Sequence, residues 1–173
     1  MRPTPDPVTP GQESVWRYPR PAIAAPSDRH VHIQHRGILV ANTRAAVRTL
    51  ETSHPPSWYL PPANLTPGLL CRSERRSFCE WKGDAIYWHL TVGDELLRDV
   101  AWSYPEPTPA FAALRDHVAF YAGPLDHCTG MASRCGLSPA ASTEGGSRPI
   151  SPDRSRACRA AWDGDSGVTL WAT

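Results

Sequence analysis

Prolines decide first what this chain can become. In "VWRYPRPAIAAPSDR" three of them fall within a short span, and "SHPPSWYLPP" holds four more. A proline lacks the backbone donor and clashes with the preceding turn, so the first stretch can be neither helix nor interior strand and the second is forced to be extended. The residue ahead of each proline is pushed out of the α region as well, which makes both stretches extended arms. With 19 prolines and 7 tryptophans in 173 residues, the composition predicts a single turn-rich, sheet-rich domain rather than a helical bundle.

Regular elements are expected around those arms. "HVHIQHRGILVANT" reads as a hairpin: Val31 and Ile33 alternate with His30, His32 and Gln34, "HRG" turns, and Ile38 to Ala41 run back. "NTRAAVRTLET" predicts a short helix capped by Asn42 or Thr43, with Ala46, Val47 and Leu50 on one face. A meander follows. "RRSFCEW" is a strand, "KGD" a turn, and "AIYWHLTV" a second strand with Ile86, Trp88, Leu90 and Val92 on one side and Tyr87, His89 and Thr91 on the other. "GDE" turns into a third strand, "LLRDVAWSY". In "PEPTPAFAALRDHV", Thr108 is placed to cap a second helix with Pro109 at its first position, where a missing N–H costs nothing. "VAFY" closes the sheet, and the ordered pattern stops near Cys128. Residues 1–12 are expected as a disordered leader.

Charge and cysteine usage exclude several classes. The formal net charge of +1 offers no basic stripe to neutralise phosphates, so nucleic acid is not an expected partner. Neither a signal-type apolar segment nor a bilayer-length apolar run is present, which predicts a cytoplasmic protein with no membrane contact. The five cysteines form no CxxC pair, so neither a metal nor another cofactor is expected. His30 and His32 flank Val31 on one strand face with His35 beyond, but no carboxylate is placed to support a metal there. Lys82 is the single lysine of a chain otherwise rich in arginine, alanine, proline and glycine, the signature of a GC-rich gene.

Several strings, "ESVWRYPRP", "SHPPSWYLP", "CEWKGDAIYW" and "AWSYPEPTPAFAALRDHVAFY", resemble the bacterial domain of unknown function 427 family over about residues 13–128. That resemblance implies a mainly β, β-tent-like fold of antiparallel sheets with two short helices. The architecture is shared with the thalidomide-binding domain of cereblon and the RNA-sensing C-terminal domain of innate helicase receptors. Those relatives hold a four-cysteine zinc, and this chain lacks the knuckles for one. The family also carries a nucleotidyltransferase-like label. Such transfer needs a phosphate nest and two carboxylates on one face. The only acidic pair in a suitable place, Asp94 and Glu95 in "GDE", is read here as part of a turn.

Seven aromatic residues, Trp58, Tyr59, Trp81, Tyr87, Trp88, Trp102 and Tyr104, are either core filling or the lining of a cleft for a flat or cationic small molecule. His54, held ahead of Pro55 and Pro56, could reach across such a cleft. Cys79 and Lys82 in "CEWKG" offer a thiol beside a cation, the pattern of an activated nucleophile as well as of an inert buried cysteine. The expectation is a small-molecule-binding or accessory module using His54, Trp58, Tyr59, Cys79, Trp81, Lys82, Trp88, Trp102 and Tyr104. The alternatives are an enzyme, either a nucleotidyltransferase or a thiol enzyme using Cys79, and an interaction domain using the proline-rich arm. The oligomeric state is left open.

From Thr129 onward the text becomes a period-free mixture, "RCGLSPAASTEGGSRPISPDRSRACRAAW", where the family carries a glycine and aromatic-rich segment containing "PQPGGFYGGWITPD". Reading the back-translated tail from the third base of each codon permits "R-D-G-E-P-V-R-P-Q-P-G-G-F-Y-G-G-W-I-T-P-D". The tail is therefore read as out of frame and disordered, the result of a one-base loss or two-base gain near the codons for Cys128 and Thr129. Resequencing the gene there should reveal codons that encode the family segment in the shifted frame. Restoring the frame should also raise the urea midpoint, and equal midpoints would refute a stabilising role for the lost segment.

Overall fold

The computed structural model describes residues 13–130. The leader 1–12 lies outside the described residues, as does the tail from residue 129 onward apart from Thr129 and Gly130. The architecture is mainly β, with two antiparallel sheets, the class that the resemblance implied. Ten strands run in chain order: β1 Ile23–Ser27, β2 Val31–His35, β3 Ile38–Thr43, β4 Ala46–Leu50, β5 Ser57–Leu60, β6 Leu70–Cys79, β7 Gly83–Val92, β8 Glu95–Ser103, β9 Val118–Phe120 and β10 His127–Thr129. The larger sheet has the order β1-β4-β5-β9-β8-β7-β6, the smaller β10-β2-β3.

The hairpins form where turn chemistry and alternation agree. Arg36 and Gly37 both take positive φ, 48° and 75°, the tight turn whose twist matches two paired strands. Alternation along the large sheet then builds two cores. Trp58, Leu60, Val118, Phe120, Trp88, Leu90 and Val92 point to the small sheet and meet Val31, Ile33, Val40 and Ala41. Tyr59, Ala119, Ala85, Tyr87 and Val47 point the other way and meet Tyr104, Phe111 and Leu114. The expected split of β7, Trp88, Leu90 and Val92 against Tyr87, is thus the division between the cores.

The helix expected from Asn42 is instead the end of β3 and the whole of β4. Ala46 and Val47 lie in different cores, and β4 is hydrogen-bonded on both sides, to β1 and β5. Ladder bonds along both edges outweigh the weak preference of a short isolated segment for helix. The second expected helix is a 3-10 segment, Pro109–Leu114, broken at Phe111. Pro109 does open it, but the Thr108 hydroxyl donates to the Trp81 carbonyl, 2.5 Å away, instead of capping it. Two further 3-10 turns, Val15–Arg17 and Pro62–Asn64, complete the non-strand elements of the described residues.

A polar clasp joins the ends of the two sheets. His35 is buried, with Nε2 3.1 Å from Glu95 Oε2 at the start of β8 and Nδ1 3.4 Å from Asp126 Oδ1. Arg36 donates its backbone N–H to Asp126 at 2.6 Å and its guanidinium to Asp94 at 3.0 Å. Carboxylates are therefore brought to His35 by the fold, contrary to the sequence expectation for this strand. Replacing the fully buried Leu90 with alanine should lower unfolding free energy by about 3 kcal/mol. Leu39→Ala, at a 40% exposed position, should stay within about 0.5 kcal/mol; urea melts would measure both.

Candidate functional site

The two cores differ in chemistry. The one between the sheets is aliphatic apart from Trp58, Trp88 and Phe120, whereas the outer one gathers side chains with polar tips. Tyr59, Tyr87 and Tyr104 are each less than a tenth exposed and share this face with Trp102 and Cys79. Trp102 stands edge-on to Tyr59 with ring centroids 6.2 Å apart, and Tyr104 lies 6.1 Å from Tyr59. Tyr121, 43% exposed, stacks at 4.5 Å on Trp102 and forms the outer rim with it.

The tips are knitted together. The Trp102 indole N–H donates to the Tyr59 hydroxyl at 3.3 Å, and the Tyr87 hydroxyl lies 3.0 Å from Ser77 Oγ. Burial pushes the Tyr59 phenol up to about 12 and raises those of Tyr104 and Tyr121 as well. All three are therefore neutral donors at physiological pH.

The β6–β7 hairpin places Cys79 and Lys82. Cys79 pairs with Gly83, so Glu80, Trp81 and Lys82 form a three-residue loop, and Gly83 closes it at φ 97°. The segment before the 3-10 turn clasps the loop, since Thr108 donates its N–H to the Lys82 carbonyl at 3.1 Å and its hydroxyl to that of Trp81. A side chain at Gly83 would press on the Glu106 carbonyl at 3.2 Å, so glycine serves the clasp as well as the turn. Lys82 is folded under the loop, 8% exposed, with Nζ 4.0 Å from Cys79 Sγ and 5.6 Å from the Phe111 ring.

Of the nine residues expected from sequence, the structure brings together Tyr59, Cys79, Lys82, Trp102 and Tyr104. Trp58 and Trp88 face the opposite core, where Trp58 lies under the guanidinium groups of Arg29 and Arg48. His54 is an exposed turn residue whose Nδ1 is 3.4 Å from the Thr52 carbonyl. Trp81 is 39% exposed and belongs to neither core.

A second polar group on the same sheet escaped sequence reading. On β6 a four-residue step, Arg72 to Arg76, spans the two-residue step Trp88 to Ile86 of β7. On β8 a four-residue step, Leu97 to Ala101, spans the two-residue step Leu90 to Trp88. Both neighbours of β7 thus bulge at the same point. The bulges bring Ser73 Oγ to Asp99 Oδ1 at 2.5 Å and the Asp99 N–H to His89 Nδ1 at 2.9 Å, with Asp99 at the strained φ of 51°. Arg75 lies 3.9 Å from Asp99 and 4.3 Å over the Tyr87 ring, which joins this cluster to the phenolic face. Only the interrupted alternation of "RSERR" hinted at it.

Because His89 Nδ1 accepts the Asp99 N–H, its proton sits on Nε2. Burial, only partly opposed by Asp99, holds the imidazole below its ordinary value of 6.5. An unfolded chain therefore takes up this proton before the folded one does, and stability is lost as pH falls below the unfolded value. Between about pH 8 and pH 5 the wild-type chain should lose more unfolding free energy than His89→Gln. Equal losses in paired urea melts would exclude the assignment.

The comparisons with known proteins agree with this architecture in one respect. No curated protein matches the chain. Residues 23–130, well over half of it, match the family described as Domain of unknown function (DUF427). This span includes every strand of both sheets and all the residues of the phenolic face. The chain belongs to the domain of unknown function 427 family.

Proposed function

We propose that the chain is a cytoplasmic binding module for a planar small molecule carrying an anionic group, held on the phenolic face of the large sheet. The observation that carries this reading is Lys82. Its ammonium is buried, yet no carboxylate lies within ion-pair distance among the described residues, and its polar neighbour is the Cys79 thiol. A buried cation without an anion is costly, and an anionic ligand would relieve that cost. The neutral hydroxyl donors of Tyr59 and Tyr104 would orient the ligand, and the half-open Trp102–Tyr121 stack would receive its flat body.

A thiol enzyme using Cys79 is the second reading, favoured by the same Cys79–Lys82 pair. Two other readings gain less support. Asp94 and Glu95 are engaged by Arg36 and His35 rather than turned toward each other's metal-binding side, which does not favour nucleotidyl transfer. The proline-rich arm supplies β1, which is already committed to β4.

A thermal-shift series with benzoate, 4-hydroxybenzoate, adenosine monophosphate and inorganic phosphate tests the proposal. At least one planar anion should raise Tm, and Lys82→Met should weaken that response by roughly tenfold or more, the scale of one lost charge-assisted contact. A response indifferent to Lys82→Met, or none to any planar anion, would sink the reading. Cys79→Ser should leave binding nearly intact but abolish a thiol-dependent activity.

A further inference from the structure

We propose that Cys79 and Lys82 are an oxidant-responsive pair that closes into a covalent sulfur–nitrogen cross-link. The chemistry stands on geometry independent of any ligand. Cys79 carries a free thiol and is half-buried, so a small oxidant can reach it. Lys82 is more than nine-tenths buried, has no ion-pair partner among the described residues, and aims its nitrogen at that sulfur from 4.0 Å. The three-residue loop, closed at Gly83 and held by Thr108, keeps the two groups on the same side. Because Lys82 is the only lysine in the chain, no other side chain can offer a primary amine.

The oxidant is a hydroperoxide, of which hydrogen peroxide is the simplest. The Cys79 sulfur attacks one peroxide oxygen, the O–O bond breaks, and sulfur is oxidised by two electrons to sulfenic acid while one water leaves. Lys82, having released its ammonium proton to solvent, then attacks the sulfur through its nitrogen lone pair. The S–N bond forms, the S–O bond breaks, and the departing hydroxide takes a nitrogen proton to leave as a second water. In sum, thiol and amine lose one hydrogen each and peroxide becomes two waters. Two equivalents of a small thiol reverse the step: one cleaves the S–N bond, the second releases Cys79, and both leave as a disulfide.

The cross-link removes the buried positive charge. Loss of planar-anion binding on oxidation is therefore expected, and that consequence alone rests on the proposed function; the cross-link does not. Cys128 supplies an internal contrast, since it is free and half-buried but burial pushes its thiol up and no lysine accompanies it.

The test uses the full chain, dilute hydrogen peroxide, trypsin and mass spectrometry. The reduced chain should be cut after Lys82. After oxidation that cut should be lost in most molecules, leaving one peptide from Ser77 to Arg98 that is lighter by two hydrogens and is cut again after dithiothreitol. Lys82→Arg should stop at an oxygenated Cys79, and Cys79→Ser should leave cleavage after Lys82 unchanged. Oxygen added to Cys79 with Lys82 still cleaved, or an unmodified Cys79 under conditions that oxidise Cys128, would overturn the proposal. Because the readout is a mass and a cleavage, it can succeed or fail whatever the ligand series shows.

Discussion

Everything in this domain depends on a seven-stranded sheet whose central strands are buried on both faces. Adjacent residues of a strand leave on opposite sides, so a two-residue step such as Trp58–Tyr59 must serve two environments at once. The chain resolves this by sending aliphatic residues, Phe120 and two indoles to the side covered by the small sheet, and phenols to the side covered by the 3-10 segment. The hydrophobic effect is served on both sides. Only on the second do the polar tips need partners, and they find them in one another. A polar network inside an apolar layer is stable when each member is satisfied, and there the pairing of Trp102 with Tyr59 and of Tyr87 with Ser77 meets that demand.

Lys82 stands out against this background. Tyr59 and Tyr87 are hydrogen-bonded to Trp102 and Ser77, whereas the one lysine among them has a thiol for company. Sequence-local constraints hold it there. A three-residue loop, a glycine at positive φ and a threonine clasp fix the backbone on either side of the side chain, and the Phe111 ring lies 5.6 Å from its nitrogen. A group positioned by backbone geometry is preorganised: no reorganisation is needed when a partner arrives.

The parts of the fold that were legible in sequence are those where local signals coincide with the final pairing. Arg36–Gly37 turns as its composition implies, β7 splits its residues between two faces as its alternation implies, and the prolines exclude helix where they cluster. The segment from Asn42 misled because a helical face and a doubly paired strand can share the same apolar residues; what decides is the presence of β1 and β5 on either side. The site divides in the same way. Tyr59, Cys79, Lys82, Trp102 and Tyr104 could be singled out by residue type, but assigning Trp58 and Trp88 to the other face requires strand register. The Ser73–Asp99–His89 cluster was out of reach, since it exists only because two strands bulge opposite the same point of a third.

The bulge on β6 has a consequence beyond the cluster it builds. β6 is an edge strand ten residues long, the kind of surface on which another chain could add a strand of its own. Its ladder is interrupted between Arg72 and Arg76, and three arginines with Glu74 crowd the break along a mostly exposed stretch. An incoming strand would meet a discontinuous row of donors and acceptors and a concentration of like charge. The irregularity that brings Ser73 to Asp99 thus also makes the open margin of β6 a poor template for an added strand.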